Sequence, residues 1–81
     1  MTTYVATFHT HLSALMTSRA MEQAGIVARM APVPRKLSSS CGTCVIYEAA
    51  DECRGCLDED AERVWETIGA DQYRLVLDLE E

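Results

Sequence analysis

Four cysteines in two Cys-x-x-Cys pairs, Cys41/Cys44 and Cys53/Cys56, bracket one short apolar run, Val45-Ile46-Tyr47. That arrangement forces a choice on the chain. If the run is a strand, residues 45–49 extend roughly 16 Å at about 3.3 Å per residue, leaving Cys44 and Cys53 near opposite edges of a sheet. If all four thiolates close on one metal, each about 2.3 Å from it, residues 45–52 must double back as a hairpin and the strand is lost. Two such pairs suggest structural zinc, although the usual separation is roughly 15–20 residues. An iron–sulfur cluster is also possible, with spacings that match neither ferredoxin pattern closely. Two independent pairs, each cycling between dithiol and disulfide, fit the spacing equally well.

The patterning around the cysteines favours the strand. Tyr4-Val5-Ala6-Thr7-Phe8 is β-branched and aromatic, the composition of a strand. Thr10 can cap a following helix with Leu12, Leu15, Met16 and Ala20 on one face, and Gly25 is a natural stop. Ile26–Met30 reads as a second strand ended by Pro32 and Pro34, and Val45-Ile46-Tyr47 as a third. Asp58 is placed to cap a second helix whose first turn holds Glu59, Asp60 and Glu62. Ala61, Val64, Trp65 and Ile68 give it a core-facing stripe, with Gly69 at its end. Tyr73, Leu75, Leu77 and Leu79 alternate with polar residues as a half-buried last strand. The order predicts an α+β, ferredoxin-like βαββαβ sandwich: a four-stranded antiparallel sheet with two helices on one face. A chain of 81 residues has room for one domain, 1–81, with a core of about residues 4–79.

Charge divides the chain. Residues 1–45 hold Arg19, Arg29, Arg35 and Lys36 against Glu22 alone, whereas residues 46–81 hold three arginines against twelve acids, for a net charge of −6. A net acidic domain without a basic stripe is a poor nucleic-acid binder, so none is expected as partner. The acidic half serves solubility or steers a basic protein partner. No apolar run reaches the roughly 20 residues that span a bilayer, so no membrane partner is expected either. The first residues lack the cationic and apolar blocks of a signal peptide. The expected compartment is therefore cytoplasmic, where thiols stay reduced.

The chemistry concentrates in Pro32-Val33-Pro34-Arg35-Lys36-Leu37-Ser38-Ser39-Ser40-Cys41-Gly42. Two cations precede a hydroxyl-rich turn that ends in a thiol, and a positive, hydrogen-bond-donating pocket favours the reactive thiolate. Arg35 and Lys36 either solvate a loop or contact an anion. Ser39, Ser40 and Gly42 either form a turn or cradle a charged sulfur species. In a ferredoxin-like fold the end of the first strand, the start of the first helix and this loop share one sheet edge. His9, Thr10 and His11 would then lie toward Arg35, Lys36 and Cys41. The histidines read as polar end-of-strand residues, with a base or ligand role as the alternative.

This loop, with Tyr4-Val5-Ala6-Thr7-Phe8 before it and a helix ending Glu22-Gln23-Ala24-Gly25-Ile26, resembles the putative selenium/sulfur (Se/S) carrier protein-like family of small bacterial domains. Its specific part is the Pro-x-Pro-Arg…Ser-x-x-Cys-Gly signature. The resemblance implies a persulfide or selenopersulfide on Cys41, assisted by Arg35, Lys36 and the serine loop. It implies a carrier or accessory protein more than a stand-alone enzyme. Its partners would be a sulfur or selenium donor, such as a cysteine desulfurase, and an acceptor protein. Cys44, Cys53 and Cys56 depart from the family pattern. Cys44 is the candidate resolving thiol, and a zinc or iron–sulfur module built on Cys41, Cys44, Cys53 and Cys56 is the alternative. An interaction or regulatory domain using the acidic face is the third reading.

Overall fold

A computed structural model describes residues 1–80; Glu81, counted in the expected domain and its charge, lies outside the described residues. The elements are β1 (Thr2–Phe8), α1 (His11–Gln23), β2 (Val27–Pro32), β3 (Thr43–Ala49), a 3-10 turn (Arg54–Cys56), β4 (Ala61–Gly69) and β5 (Gln72–Asp78). They form an α+β fold with one five-stranded sheet in the order β2-β3-β1-β4-β5, every neighbouring pair antiparallel. β1 and β2 run the same way with β3 returning between them, as expected of a β-α-β crossover followed by a hairpin.

The expected second helix does not form. Residues 61–69 are a strand between β1 and β5, so the described residues hold five strands and one helix rather than four and two. The stripe Ala61, Val64, Trp65 and Ile68 fits a helix by spacing, but Val64, Trp65, Thr67 and Ile68 are also strong strand formers. Partners on both sides decide the contest. Gly69 pairs with Gln72 across the hairpin that joins β4 to β5, with Asp71 at φ 56°; Asp is one of the few residues that adopt this left-handed conformation readily. Asp58 does bond the backbone two residues on, accepting from the Asp60 N–H at 3.0 Å, but this closes a turn and starts no helix. The β3–β4 crossover is thus an irregular segment carrying the 3-10 turn.

α1 begins where expected. Thr10 Oγ1 accepts from the Ser13 N–H at 3.1 Å. It ends in a Schellman turn: Ile26 N–H donates to Met21 O (2.9 Å), Gly25 N–H to Glu22 O (3.1 Å), and Gly25 sits at φ 79°. The buried face differs from the expected Leu12–Leu15–Met16–Ala20 stripe. Ser13, Ala14, Thr17 and Met21 are buried, whereas Leu12 and Met16 are 65% and 51% exposed. Small residues let the helix approach the sheet closely, and their hydroxyls stay paired: Ser13 donates to Thr10 O at 2.8 Å and Thr17 accepts from the Asp58 N–H at 2.9 Å.

One core lies between α1 and the sheet, built from Tyr4, Ala6 and Phe8 of β1, Val45, Tyr47 and Ala49 of β3, Ala61 and Val64 of β4, and Ala14 and Met21 of α1. Tyr4 and Tyr47 stack at 5.4 Å. Burying each of Phe8 and Tyr47 stabilises the fold by about 2 kcal/mol. No helix among the described residues is long and apolar enough to cross a membrane.

Candidate functional site

The β2–β3 loop is closed at its base by the Val33 N–H donating to Gly42 O at 3.1 Å. Gly42 takes φ 76°, a conformation that costs a residue with a Cβ roughly 1–2 kcal/mol. Two anchors fix the serines between these ends. Ser39 Oγ donates to Phe8 O at 2.9 Å, tying the loop to the end of β1. Ser40 Oγ donates to Glu62 Oε2 at 2.6 Å, and its N–H lies 3.4 Å from both Glu62 oxygens.

Glu62 holds this second anchor because of a register slip. Thr7 pairs with Arg63 but Phe8 pairs with Ala61, leaving Glu62 unpaired against β1. Such an extra residue re-aims its side chain and bends the strand. Glu62 is 4% exposed. Burial alone would raise its carboxyl, but hydrogen bonds from the Ser40 hydroxyl and N–H, with the Ser39 hydroxyl and His9 nearby, outweigh it and hold the group below the ordinary carboxylate range. Reading residues 58–68 as a helix hid this role, since Glu62 then counted as a first-turn charge.

Cys41 lies on the ordered serine loop. Its half-buried Sγ accepts from the Thr43 N–H at 3.4 Å, donates to Thr43 O at 3.4 Å and lies 3.9 Å from Ser39 Oγ. The Cys41 N–H reaches Ser39 Oγ at 3.4 Å. The sulfur therefore has a backbone donor and a hydroxyl beside it. Arg35 and Lys36 sit in the same loop, exposed, and among the described residues neither forms an ion pair. The shared sheet edge brings the histidines to the loop: His9 Nδ1 is 3.4 Å from Ser40 Oγ, and His11 Nδ1 is 3.3 Å from Thr43 Oγ1.

Cys44 is placed differently. Val45 and Tyr47 face the helix with the core, so strand alternation turns Cys44 to the opposite sheet face. Cys41 packs against the helix-side core. Cys44 is fully buried, and its Sγ donates to Pro32 O at 3.7 Å. Burial pushes its thiol up to about 11, with Arg29 opposing and Cys41 adding to the rise.

Cys53 and Cys56 lie beyond the far end of β3 in the 3-10 turn. A strand therefore stands between the two pairs, and no trio of metal-ligand atoms within 4.8 Å among the described residues includes a cysteine. One such trio does occur, formed by His9, Glu62 and Glu80. Its carboxylates approach opposite ring nitrogens: Glu62 is 3.4 Å from Nδ1 and Glu80 is 3.2 Å from Nε2. One cation uses one imidazole nitrogen, so this geometry suits His9 as a two-sided hydrogen-bonding link better than as a ligand.

Among protein families, the one described as putative Se/S carrier protein-like matches residues 3–64. No curated protein and no solved structure matches the chain.

Proposed function

This chain belongs to that Se/S carrier protein-like family, and on that premise we propose that it carries sulfur or selenium on Cys41 as a persulfide or selenopersulfide. The Cys41 thiolate attacks the terminal sulfur of a donor persulfide. A Cys41 S–S bond forms, the donor's S–S bond breaks, and the donor leaves as a thiolate. An acceptor nucleophile then takes the terminal sulfur and returns Cys41 to a thiolate. A donor, such as a cysteine desulfurase, and an acceptor are the two partner classes this cycle requires.

The observation that carries the reading is the Thr43 N–H directed at the Cys41 sulfur, on a loop clasped to β1 through Ser39 and to β4 through Ser40. Fixed donors stabilise an anionic sulfur without reorganisation. Arg35 and Lys36, exposed on the same loop, are suited to meet the donor or an incoming anion. Cys44 is the less suitable resolving thiol, being buried on the other sheet face with a thiol held near 11.

Intact-mass analysis after incubation with a cysteine desulfurase and cysteine tests the proposal. The protein should gain one sulfur on Cys41, and Cys41→Ser should gain none. Equal loading of the folded Cys41→Ser variant would refute it.

A further inference from the structure

We propose that Cys53 and Cys56 form a second sulfur site, a dithiol that closes to an intramolecular disulfide on reaction with a low-molecular-weight disulfide, independently of Cys41. The two cysteines are set in a turn, with the Cys56 N–H donating to Cys53 O at 2.9 Å. Such a turn holds its first and fourth Cα atoms within about 7 Å, and disulfides span Cα separations of about 4.4–6.8 Å. Both thiols are free and only partly buried.

The core holds this turn in place. Tyr47 is 1% exposed in the centre of β3, and its hydroxyl donates to Glu52 O at 2.6 Å, just ahead of Cys53. Asp51 Oδ1 accepts from the Cys53 N–H at 2.8 Å, and Cys53 Sγ donates to Asp51 O at 3.4 Å. These contacts keep Cys53 at φ 53°, where a residue with a Cβ does not settle without support. The chain thus bears a local strain that presents two thiols on one short turn.

The chemistry divides the roles. Cys53 Sγ is engaged as a donor to Asp51 O at 3.4 Å, and burial with the hydrogen bond and charge of Asp51 pushes its thiol up; this disfavours Cys53 as the first nucleophile, so Cys56 attacks first. Its thiolate displaces one thiol from the reagent and forms a mixed disulfide. Cys53 then attacks the Cys56 sulfur, closing the Cys53–Cys56 bond and releasing the second thiol. The reagent takes up two electrons and the two protons of the dithiol. Asp51 and Glu52 precede the turn in the chain, Asp58 and Glu59 follow it, and together they outnumber Arg54, which favours a cationic disulfide over an anionic one.

Reduced native protein treated with cystamine, quenched with a maleimide and mapped by peptide mass spectrometry tests this. The expected product joins Cys53 to Cys56, while Cys41 and Cys44 retain thiols or single adducts. Cys53→Ser should trap a cysteamine adduct on Cys56, and Cys56→Ser should form no intramolecular disulfide. Circular dichroism checks that each variant is folded, and the mapping of the unsubstituted chain stands without them. Stable adducts on both Cys53 and Cys56, or a disulfide from either one to Cys41 or Cys44, would overturn the proposal. Sulfur loading of Cys41 is a separate readout and can fail or succeed on its own.

Discussion

β3 carries a Cys-x-x-Cys pair near each end, and the backbone has given the same spelling two geometries. At the start of the strand the pair runs from a turn into extended chain. Cys41 packs on the helix side of the sheet, and Cys44 is buried on the other. Past the strand's end the pair is folded over a 3-10 turn, with both thiols half-buried. Spacing alone therefore does not define a dithiol. A turn converts three-residue spacing into proximity, whereas a strand converts it into opposite faces.

The largest test of this contrast is thiol reactivity. With its thiol at about 11, Cys44 should alkylate roughly three-hundredfold more slowly at neutral pH than an unperturbed thiol of about 8.5. Time-resolved mass mapping with iodoacetamide reads this, and comparable rates at Cys44 and Cys56 would erase the contrast. The same shift has a pH sign. Folded Cys44 keeps its proton where the unfolded chain has lost it, so its contribution to stability is complete below about pH 8.5 and disappears as pH rises toward 11. That contribution is about 3 kcal/mol.

Next comes the clasp at the Cys41 end. Glu62→Ala leaves the Ser40 hydroxyl and N–H without their acceptor and should cost about 2 kcal/mol in urea unfolding at neutral pH. Because the Glu62 carboxyl is held below its ordinary range, its contribution is full above the unfolded value of about 4.3 and is lost as pH falls through the folded one. The difference between Glu62→Ala and the parent should shrink accordingly in acid. Closure of Cys53–Cys56 should be unaffected, which separates the two ends of the strand.

The smallest effect belongs to the far turn. Asp51→Ala removes the acceptor for the Cys53 N–H and should destabilise the fold by about 1 kcal/mol in urea unfolding. Unchanged stability would mean that Tyr47 and Glu52 alone set the turn.

Much of the first half was legible in sequence because its signals are local. Thr10 is a cap by its hydroxyl, Gly25 is a stop by its missing Cβ, and Tyr4–Phe8 is a strand by its side-chain shape. The position of the serine loop beside His9 followed from strand order alone. The buried face of α1 was not legible, since Leu12 and Met16 are the more apolar residues but Ser13, Ala14 and Thr17 are the ones that fit close to the sheet. The second half was misread where two periods compete. Ala61-x-x-Val64-Trp65-x-x-Ile68 satisfies a helical stripe and a strand composition together, and local propensity is too weak to choose between them.

The sequence by itself determined the crossover β1-α1-β2, the returning strand β3, the loop that ends in Cys41 and the separation of the two cysteine pairs. These rest on turn chemistry and on the length of an extended run. Tertiary structure alone decided that residues 61–69 pair with β1 and β5, that Glu62 stands out of register and clasps Ser40, and that Cys44 and Cys41 part across the sheet. These depend on hydrogen-bond partners distant in the chain, more than fifty residues for β1 against β4 and 22 for Ser40 against Glu62, or on the face a neighbouring strand presents. Such partners exist only once the chain has folded.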